Sequence, residues 1–143
     1  MKTVIIGSGN VAYHLAKAFT LSNNEVVQIF GRNAEELRKI SEELEIPYST
    51  EEIADADFYL IAVSDSSVAE VSKHITSSGA LVAHTSGSLP KEILEGDYRK
   101  ASFYPLQTFS KTKELDYKTI PFFVEAENEF DLNILKNLAA SIS

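Results

Sequence analysis

The sequence predicts one α/β domain with a doubly wound, mainly parallel sheet. Three observations support this fold class. Short apolar runs alternate with amphipathic stretches of helical period, the first run stops at a glycine turn, and that turn leads directly into a helical stretch. A length of 143 residues fits a single domain, and no repeat or linker-like stretch divides the chain.

The first elements have clear local patterns. Residues 2–6 are apolar and mostly β-branched, which is typical of a strand buried on both faces. A helix is predicted from Asn10, because apolar residues then recur on one face, and a second strand is predicted over residues 25–30. Asn33 with Glu36 three positions later resembles the capped start of a second helix.

The strand–helix alternation continues through the rest of the chain. The remaining predicted elements are strands at 46–49, 57–63, 80–84, 101–104 and 120–125, a helix capped at Ser64, a short helix starting at Ser88 with Pro90, and a last helix from Asn128. The last helix is expected to present Phe130, Ile134 and Leu138 on one stripe. Because that stripe runs to the end of the sequence, we expect a further element after it; the alternative is a natural C-terminus that frays.

Composition excludes several classes of function. Thirteen basic against 21 acidic residues give a net charge of −8, the opposite of a duplex nucleic-acid binder, so no nucleic-acid partner is expected. Without cysteine there are no disulfides or thiolate sites. No metal site is expected from His14, His74 and His84, and the first two are interpreted as surface residues. No apolar run is long enough for a signal peptide or a membrane span, so a cytoplasmic protein without membrane contact is expected.

The turn after the first strand has the pattern of a dinucleotide-binding loop. Gly7 permits the tight turn, Gly9 lets a pyrophosphate approach the backbone, and Ala12 keeps the helix close to the strand. The free N–H groups of the helix N-terminus then face the phosphates. The predicted phosphate-binding residues are Gly7, Ser8, Gly9, Asn10 and Val11. The alternative is a turn that serves packing alone.

The end of the second strand indicates which nucleotide is bound. NAD sites usually have an acidic residue there for the ribose 2′-hydroxyl, whereas this chain has Gly31, Arg32 and Asn33. An arginine can hold a 2′-phosphate by paired hydrogen bonds, and Asn33 could add a donor. The sequence therefore favours NADP over NAD, FAD and S-adenosylmethionine. The alternative for Arg32 is a solvated surface arginine.

Several segments together resemble a known family. Residues 7–12 with 31–33 are similar to the 6-phosphogluconate-dehydrogenase-like NADP-binding domains, and the Gly-x-Gly-Asn-x-Ala form is similar to pyrroline-5-carboxylate reductase. Residues 62–65, 84–90 and 104–109 resemble NADP-dependent oxidoreductases in which a Rossmann domain precedes a helical domain of unknown function. The resemblance implies that residues 1–143 are the NADP-binding domain, that the helical domain is missing, and that a homodimer forms through it.

The resemblance also implies positions for the nicotinamide half of the cofactor. The loop after the fourth strand, with Ala62, Val63 and Ser64, would lie against this half. The loop after the fifth strand, which includes Thr85, would face the nicotinamide and the substrate. Where many family members have histidine before Pro-Leu-Gln-Thr-Phe, this chain has Tyr104.

Three side chains are candidates for the chemistry. His84 and Tyr104 could supply a proton, and Ser86 could hydrogen-bond a substrate oxygen or the nicotinamide carboxamide. The alternatives are a structural histidine that bonds a loop carbonyl and a tyrosine packed in the core with a satisfied hydroxyl. The sequence thus favours the NADP(H)-binding domain of an oxidoreductase that reduces a small carbonyl or imine substrate. The other reading is a non-catalytic nucleotide-binding sensor or scaffold.

Overall fold

The computed structural model describes residues 1–111 and 114–142 of the chain. In chain order the elements are β1 (Thr3–Ile6), α1 (Asn10–Leu21), β2 (Val26–Phe30), α2 (Ala34–Leu44), β3 (Tyr48–Ser49), β4 (Phe58–Ile61), α3 (Asp65–Ser72), β5 (Leu81–His84), a 3₁₀ turn (Lys91–Ile93), β6 (Arg99–Pro105), a second 3₁₀ turn (Tyr117–Thr119), β7 (Phe122–Ala126) and α4 (Glu129–Ile142).

The strands form one sheet in the order β3-β2-β1-β4-β5-β6-β7. All neighbouring pairs are parallel except β6 with β7, which is antiparallel. The central strand β1 has Val4, Ile5 and Ile6 at 1% exposure or less, as the β-branched run predicts for a strand covered on both faces. The predicted fold class, a doubly wound and mainly parallel sheet, is confirmed.

Two apolar layers cover the sheet. On one side Ile5 packs in a cluster with Phe19 of α1 and Leu135 of α4. On the other side the neighbouring β1 residue Ile6 packs in a cluster with Val68 of α3. Alternate strand residues point to opposite faces, so one short strand anchors both layers. Among the described residues, no helix has the length and apolar character needed to cross a bilayer.

The last helix buries most of the predicted apolar stripe but not its first residue. Phe130 is 72% exposed, whereas Asp131, Leu135 and Leu138 face the protein. The buried Asp131 carboxylate accepts hydrogen bonds from Arg99 Nε at 2.7 Å and from the Asn128 side-chain amide at 3.1 Å. A buried charge needs its partners, and these contacts hold Asp131 inward in the first turn while Phe130 beside it faces solvent.

Two other local predictions need correction. The short helix expected from Ser88 and Pro90 is a single 3₁₀ turn at Lys91–Ile93, since no apolar stripe sustains a longer one. His14, expected at the surface, is only 1% exposed because a long segment after β6 crosses α1 above it. Its Nε2 donates to the Ser110 carbonyl oxygen at 2.5 Å, and Nδ1 lies 2.7 Å from the Tyr117 hydroxyl.

Candidate functional site

A cleft of about 620 Å³ lies at the carboxyl ends of the central strands. In a parallel sheet this edge, where the strand order reverses, is the usual place for a ligand. All twelve residues predicted to bind the cofactor line the cleft: Gly7, Ser8, Gly9, Asn10, Val11, Gly31, Arg32, Asn33, Ala62, Val63, Ser64 and Thr85. Ser67, Val71 and Phe109 also line it, and sequence reasoning missed them.

The two glycines of the turn have different physical roles. Gly7 has φ of +132°, and a Cβ there would lie 2.1 Å from the Ala62 carbonyl oxygen and 3.3 Å from the Ala12 Cβ. It is therefore required where the turn meets the β4 loop and α1. A Cβ on Gly9 would meet no atom within 4 Å, so this position opens onto free space that a ligand can enter.

The N-termini of α1 and α2 reach the same edge of the sheet but end differently. At α1 the capping position is Gly9, and among the described residues no side chain accepts a hydrogen bond from the first turn. At α2 the Asn33 Oδ1 accepts from the Glu36 N–H at 3.1 Å. The α1 terminus therefore keeps its donors and its partial positive charge for an external anion.

Arg32 is an exposed arginine at the β2 end of the cleft. The other two arginines form ion pairs, Arg38 with Glu35 and Glu42, and Arg99 with Asp131. Within the described part of the chain, Arg32 forms no ion pair or side-chain hydrogen bond. In a protein with a net charge of −8, an unpaired guanidinium beside an open helix N-terminus suits a phosphate ligand.

The loop after β5 is linked to the start of α3 by hydroxyl groups. The Ser86 and Ser88 hydroxyl oxygens lie 3.2 Å apart, and the Ser88 hydroxyl donates to the Asp65 carboxylate at 2.8 Å. The Thr85 N–H donates to the Ile61 carbonyl at 3.2 Å, which continues the parallel pairing beyond the strand. These contacts fix the polar wall of the cleft opposite the glycine turn.

His84 is fully buried at the end of β5. Its Nδ1 accepts from the Ser86 N–H at 3.1 Å, so Nε2 carries the proton and donates to the Pro90 carbonyl at 3.1 Å. Both ring nitrogens are thus used inside the loop, and the side chain lies outside the residues that line the cleft. This geometry fits the alternative of a histidine that bonds a loop carbonyl better than it fits a proton donor.

Tyr104 lies beside a smaller cavity of about 210 Å³ that also touches Ser86, Phe123 and Glu125. Its ring packs on Gly87, where a Cβ would come within 2.4 Å of the ring. In the described residues its hydroxyl has no hydrogen-bond partner, unlike the satisfied hydroxyl of a core tyrosine. Ser86 lines both cavities, so it lies between the cofactor cleft and Tyr104.

The segment after β6 adds contacts that sequence reasoning missed. The Asn10 side-chain amide donates to the Phe109 carbonyl at 3.1 Å. Lys111 Nζ donates to the Ser8 carbonyl oxygen at 2.7 Å and to Glu36 Oε2 at 2.6 Å. The Lys111 ammonium lowers the pKa of Glu36 below its ordinary value, chiefly through that hydrogen bond. No spacing rule connects residues 103 positions apart, so no local signal predicts this contact.

These features fit a dinucleotide: an uncapped helix N-terminus, a glycine position open to the cleft and an unpaired arginine. The fold and the cleft define the chain as a pyridine-nucleotide, oxidoreductase-type domain. It belongs to the family described as NADP oxidoreductase, coenzyme F420-dependent, whose model matches residues 2–86. This match confirms the resemblance of the sequence motifs to NADP oxidoreductases.

Solved structures support the same class. A Bacteroides fragilis protein assigned as an NADP oxidoreductase is 38% identical, with a TM-score of 0.92 over 99% of this chain and 57% of its own. A Thermotoga maritima protein is 25% identical, with a TM-score of 0.79 over 99% of this chain and 55% of its own. A pyrroline-5-carboxylate reductase from Coxiella burnetii, 14% identical with a TM-score of 0.72 over 99% of this chain and 56% of its own, shows the shared fold.

This chain thus spans a little more than half the length of these structures. A search of curated proteins found no match.

Proposed function

We propose that the chain is the NADP(H)-binding domain of an oxidoreductase that reduces a small carbonyl or imine substrate. The observation that carries the proposal is Arg32, which has no partner among the described residues and lies at one end of a cleft whose floor is the N-terminus of α1. A 2′-phosphate distinguishes NADP from NAD, and a free guanidinium is the group that best recognises it. No carboxylate stands at residues 31–33 to repel that phosphate.

The pyrophosphate would be held by the N-terminus of α1. Gly9, Asn10 and Val11 line the cleft there, and no side chain caps the helix. Gly9 offers backbone without a side chain, so the phosphate oxygens can reach the N–H groups directly. Asn10 does not compete for this space, because its side chain is bound to the Phe109 carbonyl.

The 2′-phosphate would be held by Arg32, with Asn33 beside it. Asn33 uses Oδ1 to cap α2, which leaves its amide N–H groups as donors. The α2 N-terminus adds a partial positive charge, although Glu35 and Glu36 offset it. Arg32 is therefore the main source of the preference for NADP.

The reaction would take place at the opposite wall of the cleft. NADPH, when bound, supplies the hydride. Ser64 and Thr85 would position the nicotinamide half, and Ser86 can donate to its carboxamide or to a substrate oxygen. The Tyr104 hydroxyl, which has no partner in the described chain, would hold the proton for the product oxygen or nitrogen. His84 would position the loop rather than exchange a proton.

The substrate side is less enclosed than the cofactor side. Phe123, in the wall of the smaller cavity, is 63% exposed, and Leu106 after β6 is 42% exposed. Hydride-transfer sites exclude water, so we propose that a further helical part of the protein covers this side and supports a homodimer. The greater length of the similar Bacteroides protein, of which this chain covers 57%, supports the proposal.

The test is NADPH oxidation by a longer form of the protein, followed at 340 nm with a panel of small ketones and imines. We expect turnover with members of one class and weak turnover from residues 1–143 alone. Cofactor affinity is expected to be similar for both forms, because the contacts that carry it lie within the chain described. NADPH binding without turnover by the longer form on any member of the panel would instead favour a sensor or scaffold.

A further inference from the structure

A second cation, Lys111, contacts both the glycine turn and the first turn of α2, and nothing in the motif of the turn accounts for it. We propose that Lys111 is a further binding residue for the 2′-phosphate of NADP. Glu36 pairs with the Lys111 ammonium when no phosphate is bound and competes with the phosphate for it. The inference rests on the proposed NADP binding. It adds a cation from outside the βαβ unit and an internal carboxylate that opposes it.

The position of the ammonium is fixed by two contacts. Lys111 Nζ lies 2.7 Å from the Ser8 carbonyl oxygen and 2.6 Å from Glu36 Oε2, and both side chains of the ion pair are about one-third exposed. Ser8 is the residue between the two glycines of the turn, and it lines the cleft. The ammonium thus touches the backbone of the loop that would receive the phosphates.

The contact with Glu36 places the same ammonium at the first turn of α2, directly after Arg32 and Asn33. Glu36 lies in the first turn of α2, and its N–H is capped by the Asn33 side chain. Asn33 and Arg32 both line the cleft at this end. Lys111 therefore lies where the glycine turn and the start of α2 meet, which is the corner assigned to the 2′-phosphate and not the nicotinamide end.

The backbone that carries Lys111 is anchored on the glycine-turn helix. The Phe109 carbonyl accepts from the Asn10 amide at 3.1 Å, and the Ser110 carbonyl accepts from His14 Nε2 at 2.5 Å. The Phe109 and His14 rings are stacked with centroids 5.1 Å apart. With its backbone held, Lys111 can exchange partners by rotating its flexible side chain, at little cost to the rest of the segment.

The exchange is favoured by charge. Lys111 keeps the pKa of Glu36 below its ordinary value, so Glu36 is ionised at neutral pH and forms an ion pair with the Lys111 ammonium. A phosphate monoester carries about −1.5 to −2 charges at pH 7 and three acceptor oxygens, more than one carboxylate offers. The 2′-phosphate would therefore take the ammonium from Glu36, while NAD, which lacks that phosphate, would leave the Lys111–Glu36 pair intact.

The test is isothermal titration calorimetry of NADPH and NADH with wild type, Lys111→Met and Glu36→Gln. Lys136→Met on α4 and Glu45→Gln at the far end of α2 are matched controls, since they change net charge equally at exposed positions away from the cleft. Lys111→Met should weaken NADPH binding by about tenfold, the value of one charge-assisted hydrogen bond, and change NADH binding less than about twofold. Glu36→Gln should tighten NADPH binding by about threefold, because the competing charge is gone.

Three outcomes would overturn the inference. One is an equal loss of NADPH and NADH affinity in Lys111→Met, which would mean that the lysine only supports the turn through Ser8. The second is no loss in either. The third is weaker NADPH binding in Glu36→Gln. Wild type that binds neither cofactor would instead refute the proposed function, whereas NADPH binding that depends on Arg32 but not on Lys111 would refute this inference alone.

Discussion

The two halves of the sheet's carboxyl edge are built in different ways. At the β1–β2 half, the glycine turn, the open end of α1 and Arg32 come from residues 7–33 and line one continuous cleft. At the β5–β6 half, Ser86 and Tyr104 meet only at the border of a second, smaller cavity, and Phe123 beside them is largely exposed. The comparison teaches that the glycine turn and Arg32 are encoded locally, whereas the substrate site is assembled from distant segments.

The largest effect is expected inside the glycine turn itself. Gly7→Ala forces a Cβ to within 2.1 Å of the Ala62 carbonyl at a positive φ, so we expect a loss of more than about 3 kcal/mol in the free energy of unfolding. Gly9→Ala meets no atom within 4 Å and should cost less than about 1 kcal/mol, yet it should weaken NADPH binding. Urea denaturation and calorimetry on both variants separate the two roles. Equal destabilisation by both variants would contradict this assignment.

The pattern of that half could be predicted because its information is local. Strand period, turn glycines and helix period are read within about ten residues, and together they indicated β1, the turn and α1. The predicted contacts at residues 7–11 and 31–33 line the cleft for the same reason, whereas those at residues 62–64 and 85 followed from the family resemblance. The sequence did not predict that one glycine of the turn is packed and the other open, because this difference depends on which residues surround each glycine in the fold.

Contacts between distant segments could not be predicted from local patterns in either half. Lys111 reaches Ser8 through a long segment without periodicity, and the same segment buries His14. His84 ends a predicted strand at the expected edge, but whether its nitrogens face the cleft or the loop depends on backbone groups at Ser86 and Pro90. Long-range hydrogen bonds decide these roles, and the spacing of apolar residues in the sequence does not predict such bonds.

In the substrate half we expect the strongest effect from Tyr104→Phe. Removal of a proton donor typically lowers kcat about 10²-fold or more, while NADPH affinity should stay within about twofold because Tyr104 lies outside the cofactor cleft. Steady-state kinetics on the longer form of the protein and calorimetry on the domain measure the two quantities. Unchanged kcat would remove Tyr104 from the chemistry.

A smaller effect is expected where the crossing segment meets α1. Burial, above all, raises the pKa of Tyr13 and of Tyr117 to about 12 each. Between pH 10 and 12 the unfolded chain loses these protons while the folded chain keeps them, so stability should fall as pH rises through this range. Tyr117→Phe removes one of the two groups and should flatten the fall in urea midpoint between pH 9.5 and 11.5. A slope identical to that of wild type would show that Tyr117 does not contribute.

The central claim is that the β1–β2 half is an NADP site, and calorimetry with NADP⁺ and NAD⁺ on wild type and Arg32→Ala tests it most directly. Arg38→Ala is the control, because that arginine is already paired with Glu35 and Glu42. We predict that wild type prefers NADP⁺ and that Arg32→Ala loses about 1.5–3 kcal/mol of binding free energy for NADP⁺ and little for NAD⁺. Equal losses for the two cofactors, or a wild type that prefers NAD⁺, would contradict the account.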